Sequence, residues 1–148
     1  MTESITVTRT FAAPRELVWD AFAKPEHFAV WFGTSHVDVP QETLTWNPAV
    51  GAGWSAVMLL PDGTTKSWVG EFVEVDAPSR LVFTLTDVPE EPQNAAPATV
   101  VLTEVAGGTE VTLTQEAPGF TAEQQAGLVA GYNAFLDTLA TDVLGLTV

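Results

Sequence analysis

Leu128, Tyr132, Phe135, Leu136, Leu139 and Val143 recur at spacings of four, three, one, three and four, the apolar stripe of a single amphipathic helix. Just before the stripe, Thr121 and Gln124 stand at the spacing of a capping box. Together they predict a helix from Thr121 to about Val143. At 1.5 Å per residue, ~23 helical residues extend ~34 Å, the width of a small domain. A stripe of that length must be buried against a large surface, and the alternating segments upstream supply one.

Ile5, Val7 and Phe11 alternate with Thr6, Thr8 and Thr10, which predicts a half-buried strand rich in β-branched residues. Arg9 shares the parity of the apolar set. It reads either as a polar handle inside a cavity or, more commonly, as an arginine snorkelling to a strand edge. Pro14 suits the first position of a helix, and Leu17, Val18, Ala21 and Phe22 give that helix one apolar face. Phe28, Trp31 and Phe32 predict a second short helix ending at Gly33. Two short helices here suggest a lid or brace at one end of a sheet.

Alternation then resumes. Val37 with Val39, and Leu44 with Trp46, predict short strands on either side of Pro40. Trp54–Leu60 and Thr65–Val75 flank Pro61-Asp62-Gly63-Thr64, a turn sequence in which proline presets φ and glycine accepts a positive φ. Pairing Pro61 with Thr64 places Trp54, Ala56, Met58 and Leu60 on one face with Val69 and Glu71. It places Val57 and Leu59 on the other with Trp68. Both faces are apolar, so parity does not say which looks inward. Arg80–Thr86 predicts a further strand, and the proline- and acid-rich stretch Asp87–Ala98 an exposed, mobile loop. Val100–Val105, the Gly107-Gly108 turn and Glu110–Gln115 predict a closing hairpin. The order is one strand, two short helices, about six antiparallel strands and one long helix. That is an α+β domain spanning residues 1–148, with a sheet curling around its last helix.

Composition narrows the function classes. Nearly half of the 148 residues are apolar (46%), which is incompatible with disorder. A formal net charge of -14 repels phosphate backbones and anionic lipid, so nucleic acid is not an expected partner. Cysteine is absent, which removes disulfides, thiolate metal sites and cysteine nucleophiles. The opening residues carry no basic segment with an apolar run behind it, and no apolar run approaches the ~20 residues of a membrane span. The expected location is the cytoplasm, with no membrane insertion.

Several local motifs point further. They are Arg9-Thr10-Phe11-Ala12-Ala13-Pro14 with Val18-Trp19; Trp31-Phe32-Gly33; Gly51 to Trp54; Asp62-Gly63, Gly70 and Glu74; Arg80-Leu81-Val82-Phe83-Thr84; Gly107-Gly108-Thr109; and Gly131-Tyr132 with Leu136, Asp137 and Leu139. In this collinear order they resemble the helix-grip, or START-like (SRPBCC), superfamily, and within it the Activator of heat-shock-protein-90 ATPase homologue family. The chain departs from that pattern at Phe32, where the family has tryptophan, at Thr34, where it has proline, and at Tyr132, where tryptophan is usual. The resemblance implies a deep, largely apolar cavity between a curved sheet and the final helix. Members of the wider superfamily bind lipids, hormones or polyketides, and some cyclise or dehydrate polyketides.

Trp31, Trp54 and Tyr132 are the preferred lining of such a cavity, since large aromatics with one polar tip suit an apolar ligand carrying a few oxygens. His36, Met58, Leu128 and Phe135 complete the candidate ligand-binding set. The alternative is that the aromatic residues simply fill the core. Gly127 and Gly131, four apart on the helix, either let it approach the sheet closely, the commoner reason, or leave space for a ligand. Glu71 and Glu74 differ in parity, which disfavours a paired-carboxylate mechanism. No phosphate loop, metal motif or nucleophile elbow is present, and no cofactor is expected. The expected function is binding of a small hydrophobic or amphipathic molecule without catalysis. One alternative is a polyketide cyclase- or dehydratase-like enzyme using His36 and Tyr132. Another is a co-chaperone-like regulator of a heat-shock chaperone ATPase. A homodimer through the second apolar sheet face, including Trp68, is a further expectation.

Overall fold

Alternation of β-branched and apolar residues gives six strands among the described residues, and the computed structural model assembles them into one antiparallel sheet. It describes residues 4–33, 37–91 and 95–145. In chain order the elements are β1 (Ser4–Phe11), α1 (Arg15–Ala23), α2 (Pro25–Gly33), β2 (Gly53–Leu59), β3 (Thr65–Asp76), β4 (Arg80–Leu85), β5 (Ala96–Val105), β6 (Gly108–Glu116) and α3 (Ala122–Thr138). The strand order is β1-β6-β5-β4-β3-β2, so every neighbouring pair except β1–β6 is a sequence-adjacent hairpin.

The expected α+β helix-grip architecture is present, with differences of detail. Pro14 stands one position before helix α1, at its N-cap. Five strands follow the two short helices, not about six. Val37–Val39 and Leu44–Trp46 form no strands; they touch β2 only through isolated bridges, Asp38 to Leu59 and Thr45 to Ser55. Pro40 stands between them without an N–H to continue a ladder, and a single turn of 3₁₀ helix, Gln41–Thr43, follows it. The expected Asp87–Ala98 loop is shorter, because β5 already begins at Ala96. Pro97 is tolerated inside β5 because that strand pairs with β4 there, while its pairing with β6 starts only at Ala98.

The inward set of each strand packs under the helices: Ile5, Val7 and Phe11 from β1, Val111 and Leu113 from β6, Ala98, Val100 and Leu102 from β5. Phe28 of α2 stacks on Trp46 at 3.9 Å, and Trp46 meets Trp54, Phe72 and Phe83 edge-on. Trp46 is only 1% exposed, and its indole N–H donates to Phe22 O at 2.8 Å, so its polar tip is satisfied inside the core. Removing such a ring costs about 3–5 kcal/mol.

Two interactions fix α3. The capping box forms as the sequence predicts: Gln124 N donates to Thr121 Oγ1 and Thr121 N to Gln124 Oε1. Arg9 of β1 donates to Asp137 Oδ1 at 2.5 Å and to Asn133 Oδ1 at 2.9 Å. Arg9 is thus a polar strut between edge strand and helix. After Thr138 the helix widens into a π-helical turn, Leu139–Val143, which buries Leu139 and Ala140.

Candidate functional site

The placement of the cavity follows from one hairpin. The β2–β3 register pairs Leu59 with Thr65, Ala56 with Trp68 and Trp54 with Gly70. The loop therefore holds three residues, Pro61-Asp62-Gly63. Gly63 N donates to Leu60 O, Gly63 takes a φ of 89°, and Leu60 N donates to Thr64 O. A type I turn followed by a residue in the left-handed region is the favoured three-residue hairpin. Pairing Pro61 with Thr64 gives a register one residue away, and a one-residue slip exchanges the two faces of a strand. Trp68 consequently shares the inward face with Trp54, Ala56 and Met58, not the outer face with Val57 and Leu59.

Trp68 forms one wall of a cavity of about 840 Å³ between α3 and the sheet. Phe32 of α2, Leu85 of β4, Ala96 and Pro97 of β5, and Phe120, Leu128 and Phe135 contribute further apolar lining. Phe32 meets Trp68 edge-on at 5.7 Å and Phe135 at 5.3 Å, so three rings from three elements form a continuous aromatic wall. Gly127 and Gly131 lie on the helix side. A Cβ placed on either would meet no atom within 4 Å. Close packing is therefore not the reason for these glycines; they border open space.

The polar groups of the lining fall into two sets. Lys66, half exposed, lies 3.1 Å from Asp87 Oδ2, with its ammonium 5.3 Å from the centre of the Trp68 ring. Glu116 is the remaining carboxylate of the lining. The second set is buried: the Tyr132 hydroxyl donates to Gln115 Oε1, with the two residues 5% and 7% exposed. Burial pushes the Tyr132 hydroxyl well above its ordinary value, so it stays protonated. Gln115 Nε2 has no hydrogen-bond partner among the described residues, yet it is not an enclosed, unpartnered atom, and Gln115 lines the cavity. Its donors open onto that space.

Of the candidate residues, Leu128, Tyr132 and Phe135 lie on the cavity wall. Trp31 and Trp54 do not. Trp31 donates its N–H to Ala21 O and touches Phe135 edge-on, one ring behind the wall. Trp54 donates to Thr84 O and packs behind Phe32. Both find their polar partner in a backbone carbonyl, which lets the rest of the ring fill the core. Met58 also lies behind the lining, its sulfur accepting the Trp68 N–H. His36 lies outside the described residues.

Two residues that matter here are absent from the candidate set. Gln115 had a signal, a polar residue at the parity of Val111 and Leu113. Trp68 had one too, in the Pro-Asp-Gly loop. Glu71 and Glu74 are not part of the site. A bulge between Phe72 and Glu74 undoes the parity argument against them, but Glu74 pairs with Arg80 at 3.0 Å and neither carboxylate lines the cavity. No group of three or more potential metal ligands exists among the described residues, and no helix there is long and apolar enough to cross a membrane.

A curved antiparallel sheet with two short helices after its first strand, closed by a long helix over an apolar cavity, defines a START-like, helix-grip domain. The chain belongs to the family described as Activator of Hsp90 ATPase homolog 1-like protein, whose model matches residues 12–143. Among solved structures, it is similar to the AHSA1 protein from Silicibacter pomeroyi, with a TM-score of 0.83 at 18% identity over 96% of this chain and 98% of that one. It is also similar to the AHSA1-like protein from Aeromonas hydrophila (TM-score 0.78, 26% identity, 98% and 96% covered). A protein from Staphylococcus epidermidis shows a TM-score of 0.79 at 29% identity, with 95% and 89% covered. No curated protein matches the chain in sequence.

Proposed function

We propose that this protein binds a small hydrophobic or amphipathic molecule, of lipid, aromatic or polyketide type, in the cavity beneath α3 and without catalysis. One observation carries the reading: about 840 Å³ of mainly apolar space is bordered by two helix glycines that nothing else approaches. The volume falls within the ~300–1,000 Å³ of small-molecule sites. Leu128, Tyr132 and Phe135, with Trp68 and Gln115, are the proposed contacts. Among the titratable groups of the lining, Lys66 and Asp87 engage each other and burial holds Tyr132 protonated, so none of these three is a free base. The proposed setting is the cytoplasm, in keeping with an acidic chain that has no cysteine.

Melting temperature measured against panels of fatty acids, fused aromatics and polyketides tests the proposal. At least one class is expected to raise it, and Gly131→Phe, which fills the space with a ring, is expected to abolish that rise. No rise with any class counts against a ligand-binding role.

The family's description supports a second reading, regulation of a chaperone ATPase. Stimulated ATP hydrolysis by the chaperone on adding this chain would favour it. Dimerisation through the outer sheet face is not proposed, because Trp68, on which it rested, turns inward. Thr6, Thr8, Thr10, Thr112 and Thr114 lie on the outer side of β1 and β6.

A further inference from the structure

We infer that the cavity selects an uncharged ligand bearing a carbonyl oxygen, held by the side-chain amide of Gln115 and oriented by Tyr132; this rests on the binding role proposed above.

Three features of the cavity lead there. First, Gln115 is one of two buried polar residues on the inward face of β6. The other, Thr109, donates to Ala13 O, whereas Gln115 lies between Leu113 and Ala117, both buried, and its Nε2 has no partner among the described residues. An amide at such a position is costly to bury unless its donors find acceptors. Its Oε1 accepts from Tyr132, which holds the amide; the residue lines the cavity, and Nε2 is neither enclosed nor hydrogen-bonded among the described residues. That amide donor is available to an acceptor oxygen of a ligand in the cavity.

Second, the charge of the lining is unsuited to an anion. One cation, Lys66, faces two carboxylates, Asp87 and Glu116, and is already paired with the first. A ligand carboxylate placed beside Tyr132 would lose its water without meeting a free positive group. The surplus negative charge of the whole chain adds to that repulsion. Third, flat rings line the same cavity: Phe135 meets Tyr132 at 5.8 Å and Phe32 at 5.3 Å, and Phe32 meets Trp68, a wall that suits a planar or ring-bearing body behind the carbonyl.

Three naphthalenes of nearly equal size test the inference: 2-acetylnaphthalene, 2-ethylnaphthalene and 2-naphthoate, with affinities measured by calorimetry near neutral pH on the full chain. In a cavity without donors the ketone binds more weakly than the hydrocarbon, because it leaves its hydration behind and gains no partner. Here the ketone is expected to bind about threefold to tenfold more tightly than the hydrocarbon, the range of one neutral hydrogen bond. The carboxylate is expected to be the weakest of the three.

Gln115→Met, nearly equal in size and without a donor, is expected to reverse the order of ketone and hydrocarbon while keeping hydrocarbon binding. The retained hydrocarbon binding also reports that the variant is folded. Should Gln115→Met fail to fold, Gln115→Leu, which likewise carries no donor and no charge, supplies the same comparison. Equal affinity for naphthoate and ketone, or an unchanged ketone-to-hydrocarbon ratio in the variant, overturns the inference and leaves the binding role standing. If none of the three naphthalenes binds and no ligand class raises the melting temperature, the binding role and the inference fall together.

Discussion

Trp68 stands directly across from Ala56 in the β2–β3 ladder, on the inward side of the sheet, with its ring edge-on to Phe32. Of the five tryptophans, it is the one that lines the cavity. The other four lie in the core or behind the wall. Tryptophan fluorescence changes on ligand binding should therefore come mainly from this residue. Trp68→Phe is expected to remove most of the quenching caused by 2-acetylnaphthalene while calorimetry still detects binding. Trp46→Phe is expected to leave the quenching in place and to lower stability instead. Loss of the signal in the second variant and not the first would refute the assignment.

Glycines at two places in this fold should respond oppositely to the same substitution. A Cβ at Gly131 meets open space, so Gly131→Ala is expected to stabilise α3 by about 1 kcal/mol through helix propensity. Its larger counterpart, Gly131→Leu, should weaken ligand binding by occupying the cavity. At Gly70 a Cβ would lie 1.7 Å from Thr84 O and 2.5 Å from Trp54 Nε1. Gly70→Ala must therefore move the Thr84 backbone of β4 away from β3, and the indole with it, and is expected to cost about 3 kcal/mol or more. Chemical denaturation of the two alanine variants decides the matter by the sign of the change.

The single tyrosine makes alkaline behaviour simple to read. Burial raises the folded-state value of Tyr132 above its ordinary 10.0, so the unfolded chain releases this proton first as pH rises. The contribution of the neutral phenol to stability is complete below pH 10.0 and declines above it, by at most about 1.4 kcal/mol per pH unit for one proton. Tyr132→Phe lacks this component. The stability difference between wild type and variant is expected to be constant below pH 10.0 and to shrink above it, and tyrosinate absorbance should appear only with unfolding. Tyrosinate forming at its ordinary pH in the folded protein would contradict the buried placement.

The strut between β1 and α3 should be weak in energy. Arg9 and Asp137 have side chains 25% and 57% exposed, so solvent screens much of their attraction. A double-mutant cycle with Arg9→Met and Asp137→Ala is expected to give a coupling below about 1 kcal/mol that shrinks further at high salt. A coupling several times larger, insensitive to salt, would mean that the pair carries helix docking by itself.

Local signals were read well from the chain, and signals that depend on assembly were not. The capping box at Thr121 and the stripe from Leu128 to Leu136 lie within α3, whose geometry follows from spacing alone; Leu139 and Val143, at the same spacing, fall in the π-helical turn that follows it. Leu128, Tyr132 and Phe135 could be placed on one face for that reason. Trp31 and Trp54 could not be placed, because whether an indole borders a cavity or backs its wall depends on which backbone carbonyl lies within its reach. A two-residue loop at Pro61-Asp62-Gly63-Thr64 would place Trp68 on the outer face; the three-residue loop that forms turns it inward. The glycine in third place is what marks the longer loop. Pro97 drew the loop before β5 too long, since a proline can enter a central strand where only one neighbour has begun to pair.

Arg9, Arg15, Lys24, Lys66 and Arg80 are all the cations of the chain, and each stands within 4.0 Å of a carboxylate oxygen. Among the described residues the other carboxylates stand in no ion pair, so to an approaching molecule the exterior is close to a uniform polyanion. Counterions from the medium must supply its neutrality. Added salt then acts in two directions at once, loosening the five contacts and relieving the repulsion among the far more numerous acids. Because the acids outnumber the contacts, such a fold is held more firmly in brine than in dilute buffer.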